Sequence, residues 1–243
     1  MSSIRIVGAG RAGGSFALAL GGVGWVPEVM LRGVPLETVA DGVDVVMLCV
    51  PDGAVAEVAA SIRPNRSCVM MHCAGSLGLD VLDPHPVRAS VHPLVSLPSP
   101  AVGAQRLAGA WFGVAADPLG RDRVDELVGV LGGRAVEVAD RDRATYHAAA
   151  AMASNHLVAL LGQVERTAAS VGVPLDAYLD LARGSLANVA DMGPAAALTG
   201  PVARGDWETV AAHLAALPAE ERPAYEALAR SAARLSGREL PDL

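Results

Sequence analysis

The stretch IRIVGAGRAGGSFALAL, residues 4–20, decides the fold of the first half of this chain. Residues 4–7 are mostly apolar and predict a short buried strand, whereas apolar side chains after residue 13 recur at helical spacing. Between them, Gly8, Gly10 and Gly13 stand in the G-x-G-x-x-G arrangement. Gly8 permits a tight turn, Gly10 permits close approach of a diphosphate, and Gly13 permits packing of the helix on the strand. The stretch therefore predicts a strand–turn–helix unit that binds a dinucleotide.

The diphosphate in such a unit lies at the N-terminus of the helix, where peptide N–H groups have no partner within the helix. The residues expected to contact the dinucleotide are Gly8, Gly10, Arg11, Ala12 and Gly13. The alternative is a glycine-rich turn that binds no ligand. The strand and the helix on either side of the turn favour the dinucleotide.

The composition excludes several functional classes. The chain has 243 residues, a formal net charge of −7, 52% hydrophobic residues and 3% aromatic residues. This length suits one large domain or two modest ones, and the apolar content excludes a disordered chain. Binding to nucleic acid requires clustered positive charge, so we expect no nucleic-acid partner. All 19 basic residues are Arg, which excludes lysine Schiff-base enzymes, P-loop proteins and protein kinases.

The three cysteines, Cys49, Cys68 and Cys73, show no C-x-x-C spacing. Neither a disulfide framework nor a cysteine metal site is therefore predicted, and a reduced cytoplasmic chain is the simplest interpretation. The longest run without charged residues or histidine, residues 12–27, is too short and too rich in glycine to span a bilayer. Glycines also interrupt the apolar run that a signal peptide would need. We therefore expect no membrane partner.

The first half of the chain alternates short apolar runs with helix-like stretches, as strand–helix–strand units do. From about residue 143 the pattern changes to long Ala- and Leu-rich stretches without a candidate strand. The pattern predicts an α/β fold, with a Rossmann-type, doubly wound and mainly parallel sheet at residues 1–142 and an all-helical domain at residues 143–243. The candidate strands are residues 4–7, 29–32, 44–50, 67–73, 89–92, 111–115 and 135–138, and the candidate helices of the second domain are residues 143–171, 174–192, 206–217 and 219–235.

Arg32 stands where the second strand of a dinucleotide-binding unit ends. An acidic residue at this position binds the ribose of NAD, whereas a basic residue accommodates the 2′-phosphate of NADP. The sequence therefore predicts a preference for NADP, with a solvated Arg32 as the alternative. Only residues 33–43 separate Arg32 from the next candidate strand. Because an ordinary crossover helix needs more residues, the wall beside the adenine is expected to be abbreviated.

Several stretches, together with the glycine turn, resemble one family of proteins. They are CVPDGAVAEVA (49–59), HCAGSLGLDVL (72–82), SVHPLVSLP (90–98), YHAAAAMASNHLVALL (146–161) and GPAAALTGPVARGD (193–206). They resemble a bacterial Rossmann-like oxidoreductase family whose helical C-terminal domain has no assigned function. This family is related to pyrroline-5-carboxylate reductase, to ketopantoate reductase and to hydroxyacid dehydrogenases with a helical domain like that of 6-phosphogluconate dehydrogenase. The resemblance covers nearly the whole chain, but it indicates the substrate only weakly, since relatives reduce carbonyls, imines and oxo acids.

The resemblance implies that a cofactor lies across the glycine turn, with Val50, Pro51 and Asp52 near its ribose and nicotinamide. It also implies that the loop at residues 72–76 lies nearby, so that His72 and Ser76 would line the nicotinamide end. Related hydroxyacid dehydrogenases and ketopantoate reductases use a lysine as proton donor, and this chain has none. Either another group protonates the substrate oxygen, or the substrate is an imine that arrives already protonated.

The predicted helix after Tyr146 carries candidates for this chemistry. Steps of about 100° per residue place His147, Ala151 and Ser154 on one stripe and Asn155 about 80° round from His147. His147 could donate a proton near neutral pH, while Ser154 or Asn155 could hold a carbonyl or carboxylate. The alternative is a core histidine whose polar atoms are satisfied within the fold.

His72, His85 and His92 are separated by 13 and 7 residues. These spacings match no metal motif, so we expect no metal site. In the turn at residues 199–206, Arg204 could clamp a substrate carboxylate or a cofactor phosphate, with Thr199 beside it. Pairing of Arg204 with Asp206, the predicted cap of the next helix, is the alternative.

The sequence thus predicts an NAD(P)-dependent reductase of a small oxo acid or cyclic imine, acting between the two domains. NADP is the preferred cofactor and NAD the alternative one. In related enzymes the helical region packs against its copy, which implies a homodimer. A nucleotide-binding regulatory or scaffold protein without redox activity is the competing hypothesis, since the chain lacks lysine and its adenine wall is short.

Overall fold

The structure is a computed structural model that describes residues 2–239 and 241. Its first part contains seven strands and five α-helices. The strands are β1 (Ser3–Val7), β2 (Val26–Met30), β3 (Val45–Leu48), β4 (Val69–His72), β5 (Arg88–Pro93), β6 (Trp111–Ala116) and β7 (Arg134–Glu137), and the helices are α1 (Arg11–Gly21), α2 (Val55–Ala60), α3 (Pro100–Leu107), α4 (Arg121–Val130) and α5 (Arg143–Ala151).

The seven strands form one sheet in the order β2-β1-β3-β4-β5-β6-β7. Every neighbouring pair is parallel except β5 and β6, which are antiparallel. The carboxyl ends of β1, β3 and β4 are therefore side by side at one edge. In open α/β sheets, this edge is where ligands bind.

Helices cover both faces of the sheet. On one face, Ile4 and Met47 pack with Phe16 of α1, and residues of α3 and α4 complete the cluster. On the other face, Val46 packs with Val55 of α2. Every residue of β3 and β4 is buried, because a parallel sheet covered on both sides leaves its central strands no solvent-exposed face. The predicted α/β class is confirmed.

Strand β2 begins and ends earlier than the predicted strand at residues 29–32. It is an edge strand that contains Pro27, and proline is tolerated there because an edge residue need not donate to a neighbouring strand. Residues 31–44 form turns and no helix, in agreement with the expected short crossover. Arg5 holds this segment by donating to the carbonyl oxygens of Val39 at 2.9 Å and Asp41 at 2.8 Å.

The chain divides into two compact units, residues 1–154 and 155–243. The change of sequence pattern at residue 143 precedes this division, because α5 contacts the sheet through Tyr146. The second unit contains the helices α6 (Leu157–Ala169), α7 (Leu175–Met192), α8 (Pro194–Ala197), α9 (Gly200–Arg204), α10 (Trp207–Ala216) and α11 (Arg222–Leu235). Its core is formed by Val202, Val210, Ala229 and Ala233.

The helix predicted at residues 143–171 is interrupted by a π-helical turn at Met152–His156. The Ser154 hydroxyl donates to the Ala150 carbonyl oxygen at 2.7 Å, a local bond that perturbs the regular helical ladder. None of the helices in the described residues is long and apolar enough to pass through a membrane.

Candidate functional site

The glycine turn after β1 has the geometry that its sequence requires. Gly8 has a φ of +113°, and a Cβ there would lie 2.4 Å from the carbonyl oxygen of Cys49. A Cβ on Gly13 would lie 1.9 Å from the carbonyl oxygen of Gly8, so α1 packs on the turn more closely than any side chain allows. Both positions therefore need glycine for the fold itself.

Gly10 differs from the other two glycines, because a Cβ built on it would meet nothing within 4 Å. Gly10 is the N-cap residue of α1, where no side chain caps the helix and the first turn has no acidic residue. The first amides of α1, at Arg11, Ala12 and Gly13, have no acceptor within the helix, and the helix dipole places a partial positive charge at this end. This cradle fits the diphosphate of a dinucleotide.

The loops after β3 and β4 lie beside this turn. Ser76 Oγ donates to Asp52 Oδ2 at 2.8 Å, so one hydrogen bond ties the two loops together. Val50 is half-buried, whereas Pro51, Asp52 and Ser76 are exposed. The structure therefore brings together at one sheet edge the groups expected to contact the ribose and nicotinamide.

Arg32 is exposed, two residues beyond the end of β2. Within the described part of the chain, its guanidinium has no ion pair or hydrogen bond. Beside the segment that follows lies an open groove of about 410 Å³, lined by residues that include Met30, Val34 and Pro35. The groove also has polar lining residues, among them Glu28, Thr38 and Asp41. This end of the site therefore offers an exposed positive charge near a groove of mixed polarity.

A cluster of aromatic and imidazole groups stands farther along the same sheet. His92 of β5 and Tyr146 of α5 are hydrogen bonded, with 2.7 Å between Nδ1 and Oη. The rings of His92 and His147 meet edge to face, with centroids 5.6 Å apart. A Cβ on Gly75 would lie 2.5 Å from His147 Nδ1 and 2.8 Å from His92 Nε2. Only glycine at position 75 therefore leaves room for both imidazoles beside the loop after β4.

The hydroxyl of Tyr146 occupies the space that a side chain would need at a second glycine, Gly113. A Cβ on Gly113 would lie 2.2 Å from Tyr146 Oη, and Gly113 is directly opposite His92 in the β5–β6 ladder. Burial raises the pKa of Tyr146, and the nearby charge of Arg143 and a hydrogen bond from the Gly113 backbone oppose this rise. The hydroxyl is thus held protonated between two strands and α5.

The pKa of His92 is lowered to about 4, mainly by burial and in smaller part by the neighbouring His147 and Arg143, while Asp52 opposes the shift. His92 is consequently a neutral imidazole at physiological pH. Its neutral form can donate a hydrogen bond from one ring nitrogen while it accepts one at the other.

Arg143 is the largest fully buried side chain of the first unit, at 1% exposure. None of its three guanidinium nitrogens has a hydrogen-bond partner within the described residues. Burial lowers its pKa, and the charges of Asp140, Tyr146 and Glu137 oppose that shift. A buried arginine is usually paired, so this unpaired charge imposes an electrostatic field on the adjacent cluster.

His72 has a different placement from His92. Its Nδ1 accepts from the Ala74 amide at 3.2 Å, and its Nε2 donates to the Gly78 carbonyl oxygen at 3.1 Å. The ring is fully buried, and burial lowers its pKa. These contacts favour support of the loop over direct contact with a cofactor. His85, likewise buried, contacts the Ala59 carbonyl oxygen at 2.9 Å.

Ser154 and Asn155 lie inside the π-helical turn. The steps of 100° per residue hold only for a regular α-helix, so the single stripe predicted for His147, Ala151 and Ser154 does not continue unchanged through this turn. π-helical turns occur frequently at functional sites.

Arg204 and Thr199 belong to the second unit. One guanidinium nitrogen of Arg204 is 4.0 Å from Asp206 Oδ2, which is the local pairing considered as the alternative. Asp206 accepts from the Thr209 amide at 3.1 Å and so caps α10 as predicted. Thr199 is the N-cap residue of α9, without a capping bond from its side chain.

Two cysteines that sequence spacing left separate are neighbours in the structure. Cys49 Sγ and Cys73 Sγ are 3.6 Å apart, at the ends of β3 and β4. The hydrogen bond with Cys73, followed by burial, raises the pKa of Cys49, so that its thiol stays protonated. Across the described residues, no cluster of three or more His, Cys, Asp or Glu could hold a metal ion.

The sequence pattern predicts a role for His147, but it does not predict that His92, Tyr146 and Arg143 lie near it. Fifty-four positions separate His92 from Tyr146, and no local periodicity reports such a contact. Two glycines could have indicated this cluster, because no turn explains either of them. Gly75 follows the buried strand β4, and Gly113 lies within strand β6. Each marks a place where a neighbouring ring occupies the space of a side chain.

Comparisons with known proteins agree with this architecture. Three solved structures with the same fold are a Bacteroides fragilis protein named as an NADP oxidoreductase (22% identity, 96% of this chain and 98% of that chain, TM-score 0.79), the 1-pyrroline-5-carboxylate reductase of Streptococcus pyogenes (13%, 96% and 98%, 0.68) and the reductive aminase of Aspergillus terreus in complex with NADPH and ethyl-5-oxohexanoate (15%, 99% and 97%, 0.72). At these identities the likeness shows the fold, including the helical C-terminal region.

A search of curated protein sequences finds no match. A family model described as a domain of unknown function, DUF2520, matches residues 110–232. That match spans half of the chain, from β6 into α11. This Rossmann-like protein with a helical C-terminal region therefore belongs to the DUF2520 family.

Proposed function

We propose that this protein is an NADP-dependent reductase of a small oxo acid or cyclic imine. The observation that carries the proposal is the uncapped turn at Gly10, where a Cβ would touch nothing, on the same sheet as the imidazoles at Gly75. The names of the structural neighbours support it: one is an NADP oxidoreductase, one reduces pyrroline-5-carboxylate and one binds NADPH.

The residues present fit a nicotinamide dinucleotide. Backbone amides at Arg11, Ala12 and Gly13 would hold the diphosphate, and the loops that carry Asp52 and Ser76 would hold the ribose and nicotinamide. When bound, the reduced cofactor supplies a hydride ion. The protein's own contribution is to orient the substrate beside Gly75 and to deliver a proton.

His147 and His92 are the groups that we propose for proton delivery, since their nitrogens converge on Gly75. Ser154 and Asn155 would hold the carbonyl or carboxylate of the substrate, and Arg204 with Thr199 would contribute to substrate binding. A chain without lysine needs such a group when the substrate is a carbonyl compound.

Arg32 is proposed to select NADP over NAD through a charge-assisted hydrogen bond to the 2′-phosphate. We expect Arg32→Ala to weaken NADPH binding about 10-fold or more and to leave NADH binding nearly unchanged, since such a bond is worth about 1.5–3 kcal/mol. Arg66→Ala is the matched control, because Arg66 is also exposed. Titration of cofactor fluorescence measures both constants, and an unchanged ratio would remove Arg32 from this role.

A regulatory nucleotide-binding protein is the second candidate function. The missing crossover helix at residues 31–44 and the absence of lysine favour it. The two hypotheses are separated by mixing the protein and NADPH with a set of oxo acids and imines that includes ketopantoate and pyrroline-5-carboxylate. Oxidation of NADPH supports the reductase, whereas binding without oxidation of any compound supports the regulator.

We also propose that the protein is a homodimer. Helix α7 has no buried residue in the single chain, and Leu181, Leu186 and Met192 are more than half exposed. Apolar surface of this kind commonly marks an interface. Light scattering at micromolar concentration is expected to give twice the mass of 24.7 kDa, and a monomer mass would refute the proposal.

A further inference from the structure

Tyr146 and His92 share one short hydrogen bond, with Oη 2.7 Å from Nδ1. Burial keeps the Tyr146 hydroxyl protonated by raising its pKa. His92 is the hydrogen-bond partner found for this hydroxyl among the described residues, so the hydroxyl proton is directed at Nδ1. His92 then accepts at Nδ1 and carries its ring proton on Nε2.

The Nε2–H of His92 is directed at Gly75, where His147 Nδ1 also arrives. His147 Nδ1 is buried and makes no hydrogen bond within the described residues. Gly75 precedes Ser76, in the loop proposed to receive the nicotinamide. A substrate at this point would meet one imidazole N–H and one ring nitrogen with unused hydrogen-bonding capacity.

Arg143 completes the arrangement electrostatically. Its positive charge is buried and has no hydrogen-bond partner among the residues that the structure describes. This charge opposes a proton on His92 and favours loss of the proton from Tyr146. Three other charged or titratable groups affect the pKa of His92. They are His147, which lies on α5 like Arg143, His72 of β4 and Asp52 after β3.

We propose that Tyr146 is the proton source of the reaction, that His92 relays this proton to the substrate oxygen, and that Arg143 is a positioning residue for the relay. The inference rests on the proposed reductase function. As the carbonyl carbon gains a hydride ion, its oxygen takes the Nε2 proton of His92, and Nδ1 takes the hydroxyl proton of Tyr146. The positive charge of Arg143 stabilises the tyrosinate left behind. Water then returns a proton to Nε2 of His92 while Nδ1 gives its proton back to Tyr146, which restores the starting state.

This relay favours one of the two substrate classes. A carbonyl group needs one proton in addition to the hydride ion, whereas an imine that arrives protonated needs none. A built-in proton source therefore indicates an oxo acid as substrate.

The hydrogen-bond network is tested without any substrate, by nitrogen NMR of histidine side chains. We expect His92 in the wild type to be the neutral Nε2–H tautomer throughout the range from about pH 5 to pH 8. Tyr146→Phe removes this preference, and Arg143→Met raises the pKa of His92. Tyr225→Phe is the matched control, because Tyr225 makes the same 2.7 Å contact with His213 in the second unit. A protonated His92 or an Nδ1–H tautomer in the wild type would overturn the relay.

Kinetics separate the relay from the reductase function. If an oxo acid is reduced, Tyr146→Phe is expected to lower kcat about 100-fold with little change in KM, and Arg143→Met is expected to shift the pH profile to higher pH. His92→Asn is a second variant should Tyr146→Phe fail to fold. If the wild type reduces an oxo acid and the folded variants keep full activity, the relay is refuted and the reductase function is not. Turnover of imines only refutes the substrate class, and no turnover refutes the function itself.

Discussion

Replacement of Gly10 by alanine tests the dinucleotide site separately from the fold. Gly10 has a φ of −73° and a ψ of −167°, which alanine adopts without strain, and the added methyl group meets no protein atom within 4 Å. Alanine is a poorer N-cap residue than glycine, by about 0.5–1 kcal/mol, but it restricts the unfolded chain by a similar amount. We therefore expect the melting temperature to change by less than about 3 °C.

Cofactor binding is expected to respond very differently. The methyl group would stand where the diphosphate approaches the first amides of α1. Loss of one hydrogen bond to a charged group costs about 1.5–3 kcal/mol, which corresponds to a dissociation constant about 10- to 150-fold larger. Isothermal titration calorimetry with NADPH measures this change for Gly10→Ala against the wild type.

Gly129→Ala supplies the control for this experiment. Gly129 is an exposed residue of α4, and a Cβ there would also meet nothing within 4 Å. We expect NADPH to bind this variant as it binds the wild type. Equal affinity for Gly10→Ala and the wild type would refute the assigned role of the turn, as would a wild-type protein that binds no dinucleotide.

Two further predictions concern stability. Arg143→Met removes a buried charge that has no hydrogen-bond partner in the described part of the chain, so the free energy of unfolding is expected to rise by about 1–4 kcal/mol. A lower free energy of unfolding in urea denaturation would show that the charge is paired. Asp44 accepts from the Ser3 amide at 2.8 Å, and this bond is the first cause of its lowered pKa. Its contribution is present above about pH 4 and is lost as the pH falls through the lowered pKa, so Asp44→Asn should destabilise the protein at neutral pH and cease to do so at about pH 2. Equal destabilisation at both pH values would contradict this assignment.

Local sequence signals were sufficient for the fold. The spacing of Gly8, Gly10 and Gly13 predicted the strand–turn–helix unit, since Gly8 and Gly13 are required by close contacts with the neighbouring strand and with the turn itself. The displaced start of β2 has a physical reason: Pro27 weakened the strand pattern at a position where the sheet edge tolerates it.

The candidate site depended on contacts that spacing does not reveal. His92, Tyr146 and Arg143 meet only because α5 returns to the sheet beside β5. The π-helical turn at Met152–His156 had no signal in the apolar periodicity, because one extra residue per turn changes the faces without changing the composition. The roles of the residues placed on that helix remain predictions.

The two outer strands of the sheet affect how the molecule can associate. Pro27 in β2 lacks a backbone N–H, and the opposite edge, β7, is exposed along its whole length and carries Arg134 and Glu137. Proline and charge at sheet edges discourage the pairing of strands from separate chains. Continuous β-structure between copies is disfavoured at both edges, and at high concentration the protein should resist fibril formation even where its helices self-associate.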